Sequence, residues 1–539
     1  MSFFGLARRE IQGSLPRLMF MSALGGISTA AILVSINAGA KFAEIGQSDL
    51  WSASLFLISL ILYIKSQNYI MIAATAEGEA IIHRIRVRIL DQVRRSELAA
   101  IDEIGRADII VAVTEDTATL TQAANLLSFG LQGVVLIVFV AIYVAYLSLI
   151  AFVLSAIIIG AASILYYAKS DERSAGMQEA AKWERQVVNR MSDLLEGFKE
   201  VRLNSARSND LIDAIREVSR QAANMKIFTQ SENVKQLVFT QGAMYVLLGA
   251  IVFVVPIIGE AAASGSTIKN TMAVLFVVGT CFGLMQAVPV IAAADAAADH
   301  IAQLEEKLRA AIRSPQIEAA RSAPQFEAIE FRDVVFHYFD KPDEPGFQIG
   351  PIDFSLRRGE LVFITGGNGS GKSTFMKVLA GLYAPTGGTI ALNGAGIGDA
   401  NREDYRSMIA AVFSDNHLFQ HLFGIRDPDE ADVSRLLREF ELDKKTRLID
   451  REFSTLDLSG GQRKRLALVV SLLEKRPILL LDEWAANQDP EFRRRFYHRI
   501  LPELNKSGLT VVVVTHDDRY LEELDLPART LRMDEGRFA

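Results

Sequence analysis

Apolar residues fall into six long runs before about residue 300 and into short runs after it. A helix needs roughly 20 apolar residues to cross the hydrocarbon core of a bilayer. The runs at about Leu15–Ala40, Leu50–Ile72, Leu126–Leu147, Ser148–Ala168, Gln236–Ile258 and Asn270–Ala294 meet that length, so the pattern predicts six transmembrane helices. Glu79–Ala99 and Gly176–Asn204 contain no proline and are rich in good helix formers, so both read as span helices continuing beyond the bilayer. Each of these loops is expected to turn near Ser96–Arg106 and near Asn204–Asp210, and a polar turn in such a place is a docking point for a cytosolic domain. After a Ser/Pro/Ala stretch at 314–324 the period changes. Strand-like runs at Phe331–Tyr338, Leu361–Thr365, Ile409–Phe413, Ile478–Leu481 and Thr510–Thr515 alternate with helical stretches, the pattern of an α/β domain on a largely parallel sheet. The expected division is therefore a membrane domain at 1–313, a linker at 314–324 and a soluble domain at 325–539.

Charge orients the first half. Arg8, Arg9 and Arg17 flank the first span, and the long stretches after the second and fourth spans carry many Arg and Lys residues. The opposite loops hold only Lys41 and Lys269. By the positive-inside rule the N terminus, both long loops and the C-terminal domain are cytoplasmic. The first run has basic residues before it and a cleavage-like Ala38-Gly39-Ala40, but it is long for a signal peptide and five more spans follow. With that run opening near residue 15, no peptidase domain is expected ahead of it. A net charge of −7 argues against a nucleic-acid binder, and one cysteine, Cys281, excludes a disulfide framework.

The second half carries phosphate chemistry. Gly366-Gly367-Asn368-Gly369-Ser370-Gly371-Lys372-Ser373, followed by Thr374, joins the run Leu361–Thr365 to a helix expected over Ser373–Leu382. Such a loop curls backbone N–H groups around phosphates at a helix N-terminus, with Lys372 reaching the β- and γ-phosphates and the Ser373 hydroxyl available to Mg²⁺. Ile478–Leu481 ends in Asp482-Glu483, and a carboxylate at the C-terminal end of a strand lies where open α/β sheets bind ligands. Asp482 is placed to hold Mg²⁺ and Glu483 to polarise an attacking water. The last strand ends before His516, which can bond a γ-phosphate. Leu458-Ser459-Gly460-Gly461-Gln462 precedes a helix expected from near Arg463 and forms a second phosphate-binding edge. One chain with two such edges implies ATP held between two copies.

These residues resemble the ATP-binding cassette (ABC) transporters, over nearly the whole chain. Six spans fused ahead of one cassette resemble a half-transporter of the exporter type: a six-helix membrane domain joined to an α/β P-loop ATPase. The resemblance implies that Lys372, Glu483 and His516 are catalytic, with Glu483 the catalytic glutamate and His516 the switch histidine. It places ATP on Gly366, Asn368, Gly369, Ser370, Gly371, Lys372, Ser373 and Thr374, and on the signature residues Ser459, Gly460, Gly461 and Gln462 of the other copy. Tyr338 matches the aromatic that stacks on adenine, with Phe336 or Phe339 as alternatives, and Asp489 matches the aspartate of a loop crossing the dimer interface. The two polar turns match the coupling helices.

Two features depart from the usual cassette. Ser414 stands where most cassettes carry a glutamine that senses Mg²⁺, so it would reach the metal only through water, and Asp415 is the neighbouring substitute. The stretch from Ser414 to Leu458 is short, implying a compact helical subdomain around Ala431–Leu442. Together with Asp482–Pro490, the segment Val412–Phe419 resembles the cyclic-peptide and siderophore exporters of the pyoverdine and syringomycin type. That resemblance implies a homodimer in the bacterial inner membrane, in contact with lipid, exporting a peptide or siderophore with ATP and Mg²⁺ and binding no nucleic acid. A lipid or multidrug flippase and an ATP-gated, channel-like regulator are the rival readings. Polar residues within spans, Lys65, Gln67, Asn68 and Gln286, are the cargo candidates.

Overall fold

The computed structural model describes residues 3–10, 15–44, 49–167, 170–258, 266–312, 325–338, 346–516, 518–523 and 527–539. They form two compact units, Met1–Ile89 with Ile110–Leu304, and Leu90–Ile109 with Glu305–Ala539. The expected linker at 314–324 lies outside the described residues.

Long helices occupy every expected span: Leu15–Glu44, Leu50–Arg95, Thr117–Leu147, Leu149–Tyr167, Ser205–Ile258 and Ser266–Ala311. Among the described residues, Pro16–Ala40, Leu50–Arg95 and Ser205–Ile258 are long and apolar enough to cross a membrane, and the other three contribute shorter apolar helices at Gln132–Leu147, Leu149–Leu165 and Thr271–Cys281. A helix such as Leu50–Arg95, 46 residues long, extends roughly 70 Å at 1.5 Å per residue, more than twice the ~30 Å hydrocarbon core. Its polar second half therefore projects beyond the lipid, as its composition predicts. Ser148 alone separates the third and fourth helices. Its backbone is extended, and its hydroxyl accepts the Ala151 N–H and so caps the new helix.

Within the first unit, Leu15–Glu44 packs along Thr117–Leu147, and Ser205–Gly249 packs along Ser170–Glu196. Buried Leu136, Val140, Leu247 and Ile251 form a central cluster, whereas Leu50, Trp51, Ile58 and Ile61 are exposed, as suits helices solvated by lipid. Near the N terminus the buried Glu10 pairs with Arg88 at 2.6 Å. The Phe3 N–H donates to Asp295.

In the second unit one sheet is antiparallel, in the order β2-β1-β4-β5, built from β1 (Ala328–His337), β2 (Gln348–Arg357), β4 (Gly387–Leu392) and β5 (Ala395–Gly396). The other contains β3 (Leu361–Thr365), β6 (Ile409–Val412), β9 (Ile478–Asp482), β10 (Thr510–Val514), β11 (Arg529–Asp534) and β12 (Arg537–Phe538), in the order β12-β11-β3-β10-β9-β6. All its strands but the hairpin strand β12 are parallel. A hairpin of β7 (Leu448–Ile449) and β8 (Glu452–Phe453) stands apart. Strands β9 and β10 are buried at every position, which is why they read as unbroken Ile/Leu and Val runs. The compact helical segment is Glu430–Glu439, shorter than Ala431–Leu442 at its far end because Glu441 takes a left-handed conformation.

The turn expected near Ser96–Arg106 is a short helix, Leu98–Ile104, closed by Gly105, and it belongs to the second unit. The second turn falls at Asn204, which caps the helix from Ser205.

Candidate phosphate-binding site

Strand β3 delivers the glycine loop at the C-terminal edge of the parallel sheet. Gly366 has φ +145°, and a Cβ there would sit 2.1 Å from the Met533 carbonyl oxygen, so no side chain fits. Gly371, at φ +103°, caps a helix spanning Lys372–Leu379. That helix opens one residue earlier than expected and ends three earlier, because Gly381 turns the chain at φ +69°. Asn368 and Gly369 are exposed, while Ser370, Lys372 and Thr374 are buried. The Ser370 hydroxyl is buried without a partner among the described residues. Lys372 donates to the carbonyls of Gly366 and Gly367 at 3.1 and 2.7 Å. Burial lowers its pKa, and the nearby Glu483 and Asp482 oppose that shift.

Asp482 ends β9 and is almost fully buried. Burial raises its pKa. Ser373 and Ser414, which lie beside its carboxylate, draw it back down. Its Oδ1 is buried without a hydrogen-bond partner. A hard divalent cation fits this set: an orphaned carboxylate oxygen beside the Ser373 hydroxyl. Ser414 thus lies beside the carboxylate. Asp415 is exposed and does not enter the set.

Glu483 adopts a left-handed backbone, φ 48°, ψ 35°. Its N–H donates to the Val514 carbonyl at 3.1 Å, and its carbonyl accepts from the buried Lys464 at 2.8 Å. These bonds hold an otherwise unfavourable conformation in place. The Glu483 Oε1 stands 3.2 Å from His516 Nε2. The structure therefore brings Lys372, Asp482, Glu483, His516, Ser373 and Ser414 to one edge of the sheet.

The segment Leu458–Gln462 stands apart from this set. Its helix begins at Gly460, not near Arg463, because Ser459 and Gln462 form a reciprocal capping box. A Cβ on Gly461 would lie 2.7 Å from the Asn487 carbonyl oxygen. Asp489 caps the helix Pro490–Arg495 and pairs with Arg465. The Phe492 N–H bond and Arg465 keep its pKa below the usual carboxylate range. Arg465 also bonds Gln488 and Glu441 and lies 3.5 Å over the Phe492 ring.

Tyr338 is half-buried, edge-on to Phe336 and Tyr383, with its hydroxyl 3.3 Å from that of Thr374. Phe336 is buried and stacked on Tyr383, so it offers no face to a base. Phe339 lies outside the described residues.

Of the cargo candidates, Lys65 and Asn68 are exposed, and the side chain of Gln286 lies outside the described residues. Gln67 faces a cavity of about 500 Å³ with Thr29, Tyr63, Gln132 and Thr280, and its Oε1 is buried without a partner. Sequence reasoning missed Gln132 and Tyr63, which sit in apolar runs, and missed Lys464 and Arg465, whose place in a basic triplet reads as a solvated face.

Comparison with known proteins follows the same lines. Residues 349–486 match the family described as ABC transporter. The ATP-binding protein SyrD of Pseudomonas syringae pv. syringae is 31% identical over 99% of this chain and 95% of its own length. The chain belongs to the ABC exporters. As such it is a membrane-embedded transporter whose ATP-binding cassette is an ATPase coupled to export. The fold is similar end to end to a bacterial Atm1-family ABC exporter with ATP bound, at a TM-score of 0.79 and 18% identity, covering 99% of this chain and 94% of that one. An ATP-dependent lipid A-core flippase of Ralstonia nicotianae is 32% identical over only 36% of this chain and 35% of its own length.

Proposed function

We propose that this ABC exporter works as a homodimer in the bacterial inner membrane and exports a cyclic peptide, a siderophore or a related peptide natural product. The proposed domain division is 1–313, 314–324 and 325–539, with the N terminus and cassette cytoplasmic. The observation that carries the cargo class is the cavity at Gln67. Two amides and three hydroxyls line it beside Leu136 and Leu275, with no charged side chain among the described residues, and the unpaired Gln67 amide oxygen in that setting favours a cargo that supplies backbone-like donors. The similarity of residues 412–419 and 482–490 to peptide and siderophore exporters agrees with that lining.

ATP would lie between the glycine loop of one copy and the Ser459–Gln462 edge of the other. Lys372 exchanges its carbonyl partners for phosphate oxygens. Ser373 and Asp482 would hold Mg²⁺, with Ser414 beside the carboxylate, and the metal would neutralise charge developing on the transferred phosphoryl group. Glu483 accepts a hydrogen bond from the attacking water, and His516, beside it, meets the γ-phosphate. The donor groups are fixed before reaction, so positioning and electrostatics supply most of the rate. Closure then reaches the membrane helices through the turns at Leu98–Ile104 and Asn204. Leu195, Phe198 and Leu203 near the second turn are exposed apolar residues, suited to the cassette of the partner copy.

A second cavity supports the flippase reading. It holds about 450 Å³ and is lined almost wholly by apolar side chains, among them Ile27, Leu33, Phe139 and Ile142. One experiment separates the readings: ATPase rate in lipid nanodiscs, parent beside Glu483→Gln, with cyclic peptides, siderophores and amphipathic drugs titrated in. Saturable stimulation by a peptide or siderophore, lost in the variant, supports the proposal. Stimulation by drugs or lipids alone selects the flippase, and normal hydrolysis without ATP-dependent accumulation in vesicles selects the channel-like regulator.

A further inference from the structure

The short turn helix Leu98–Ile104 is fastened at two points to the cassette, to the helix Arg402–Ser407 and to the segment that follows the phosphate-loop helix. The first fastening is ionic. Glu97 receives Arg406 at 2.9 Å and Arg402 at 3.3 Å, and all three side chains are at least three-quarters buried. Arg406 also donates to the Gly381 carbonyl at 2.8 Å, so the pair grips the backbone just ahead of Tyr383. The second is the Tyr383 hydroxyl, which donates to Asp102 at 3.0 Å. Leu98 and Ala99 pack against the same core.

Tyr383 itself is 2% exposed. Its ring stacks flat on Phe336, with centroids 4.7 Å apart, and meets Tyr338 edge-on at 5.6 Å. Tyr338 in turn stands against Thr374, on the helix whose N-terminus binds phosphate. Four side chains thus connect the phosphate-loop helix to the turn without a gap: Thr374, Tyr338, Tyr383 and Asp102. Close-packed groups transmit displacement because they have no slack to absorb it.

We propose that Tyr383 is a positioning residue that carries nucleotide occupancy from Tyr338 and Thr374 to the turn through its bond to Asp102. The inference rests on the exporter reading above, in which the turn moves the membrane helices. Asp102 and Tyr383 touch neither phosphate nor metal, so their loss should spare the ATP site while weakening its effect on the turn.

The test uses the full chain in nanodiscs. Cys281→Ser removes the only cysteine, Ser205→Cys places one spin label per protomer near the exposed second turn, and Glu483→Gln holds ATP unhydrolysed. Double electron–electron resonance then gives the distance between protomers with and without Mg·ATP. At saturating ATP the ratio of shifted to unshifted pairs should fall about tenfold in Tyr383→Phe, a usual size for coupling between sites. The ATP-free distribution and the thermal midpoint should stay as in the parent. Asp102→Asn, which keeps an acceptor oxygen, should restore most of the shift. Asp102→Ala should match Tyr383→Phe, and the two together should cost no more than either alone. A Tyr383→Phe chain that responds as the parent does, or losses that simply multiply in the double variant, would overturn the proposal alone. A parent with no ATP-dependent shift would overturn the dimeric exporter reading with it.

Discussion

Ser414 offers the sharpest check on the chemistry of the ATP site. Ser414→Ala removes a hydroxyl that lies beside the buried Asp482 carboxylate and favours its ionised form. A hydrogen bond to an ionised group contributes about 1.5–3 kcal/mol. Ser414 is itself exposed, so the loss belongs at the low end, near 1.5 kcal/mol, or about tenfold in affinity for the metal. The pH dependence has a definite sign. Metal binding requires the ionised carboxylate, and burial has already raised the Asp482 pKa, so a proton competes with the metal at acid pH and affinity climbs as pH rises. Deleting a group that favours the ionised form moves that climb to higher pH, so parent and variant should differ more at pH 6 than at pH 8. Mn²⁺ titrated in the presence of a non-hydrolysable ATP analogue, followed by electron paramagnetic resonance, measures the affinity directly. ATP affinity in excess chelator should be unchanged, and Ser414→Thr, which keeps the hydroxyl, should stay within about twofold of the parent. Unchanged Mn²⁺ binding in Ser414→Ala at both pH values would refute the reasoning.

Two further substitutions test the frame around that chemistry. Gly366→Ala places a methyl group 2.1 Å from the Met533 carbonyl oxygen at φ +145°, so the loop must move. ATP binding, read with a fluorescent analogue, should fall at least about a hundredfold, the effect of roughly 2.7 kcal/mol, whereas near-normal binding would mean that the loop accommodates a side chain. Arg465→Ala strips Glu441, Asp489 and Gln488 of a shared partner and uncovers Phe492. The two carboxylates are half-exposed and can rehydrate, which limits the loss to about 3 kcal/mol. At 2–4 °C per kcal/mol the thermal midpoint should drop roughly 6–12 °C. Arg465→Lys should recover little of it, since an ammonium cannot fork to three acceptors and stack on a ring.

The parts of this protein legible in its sequence are those where one physical demand dominates locally. Lipid demands an apolar run, and phosphate demands a glycine loop between a strand and a helix. A strand buried on both faces demands an unbroken run such as Val511–Val514. The antiparallel strands Gln348–Arg357 and Gly387–Leu392 escaped because a buried Gly350 followed by Pro351 interrupts the alternation of the first and two glycines open the second. Helix ends shifted wherever a cap outweighed propensity, as Ser459 does for the helix from Gly460.

What the sequence conceals is contact across long separations. Asp102 and Tyr383 are 281 positions apart, and each alone has a bland meaning, an exposed carboxylate and a core aromatic. Their significance lies only in their meeting, on a segment that Glu97 and Arg406 also grip. Ser414 is the same case in miniature. As a letter it reads as a missing glutamine and a doubt about Mg²⁺, whereas in the fold its short side chain stands against the Asp482 carboxylate. A short residue there stays at the carboxylate. The packed row from Thr374 to Asp102 is then the line proposed from nucleotide to turn. On that argument Ser414→Ala should impair metal binding and Tyr383→Phe should impair coupling, each sparing the property that the other damages.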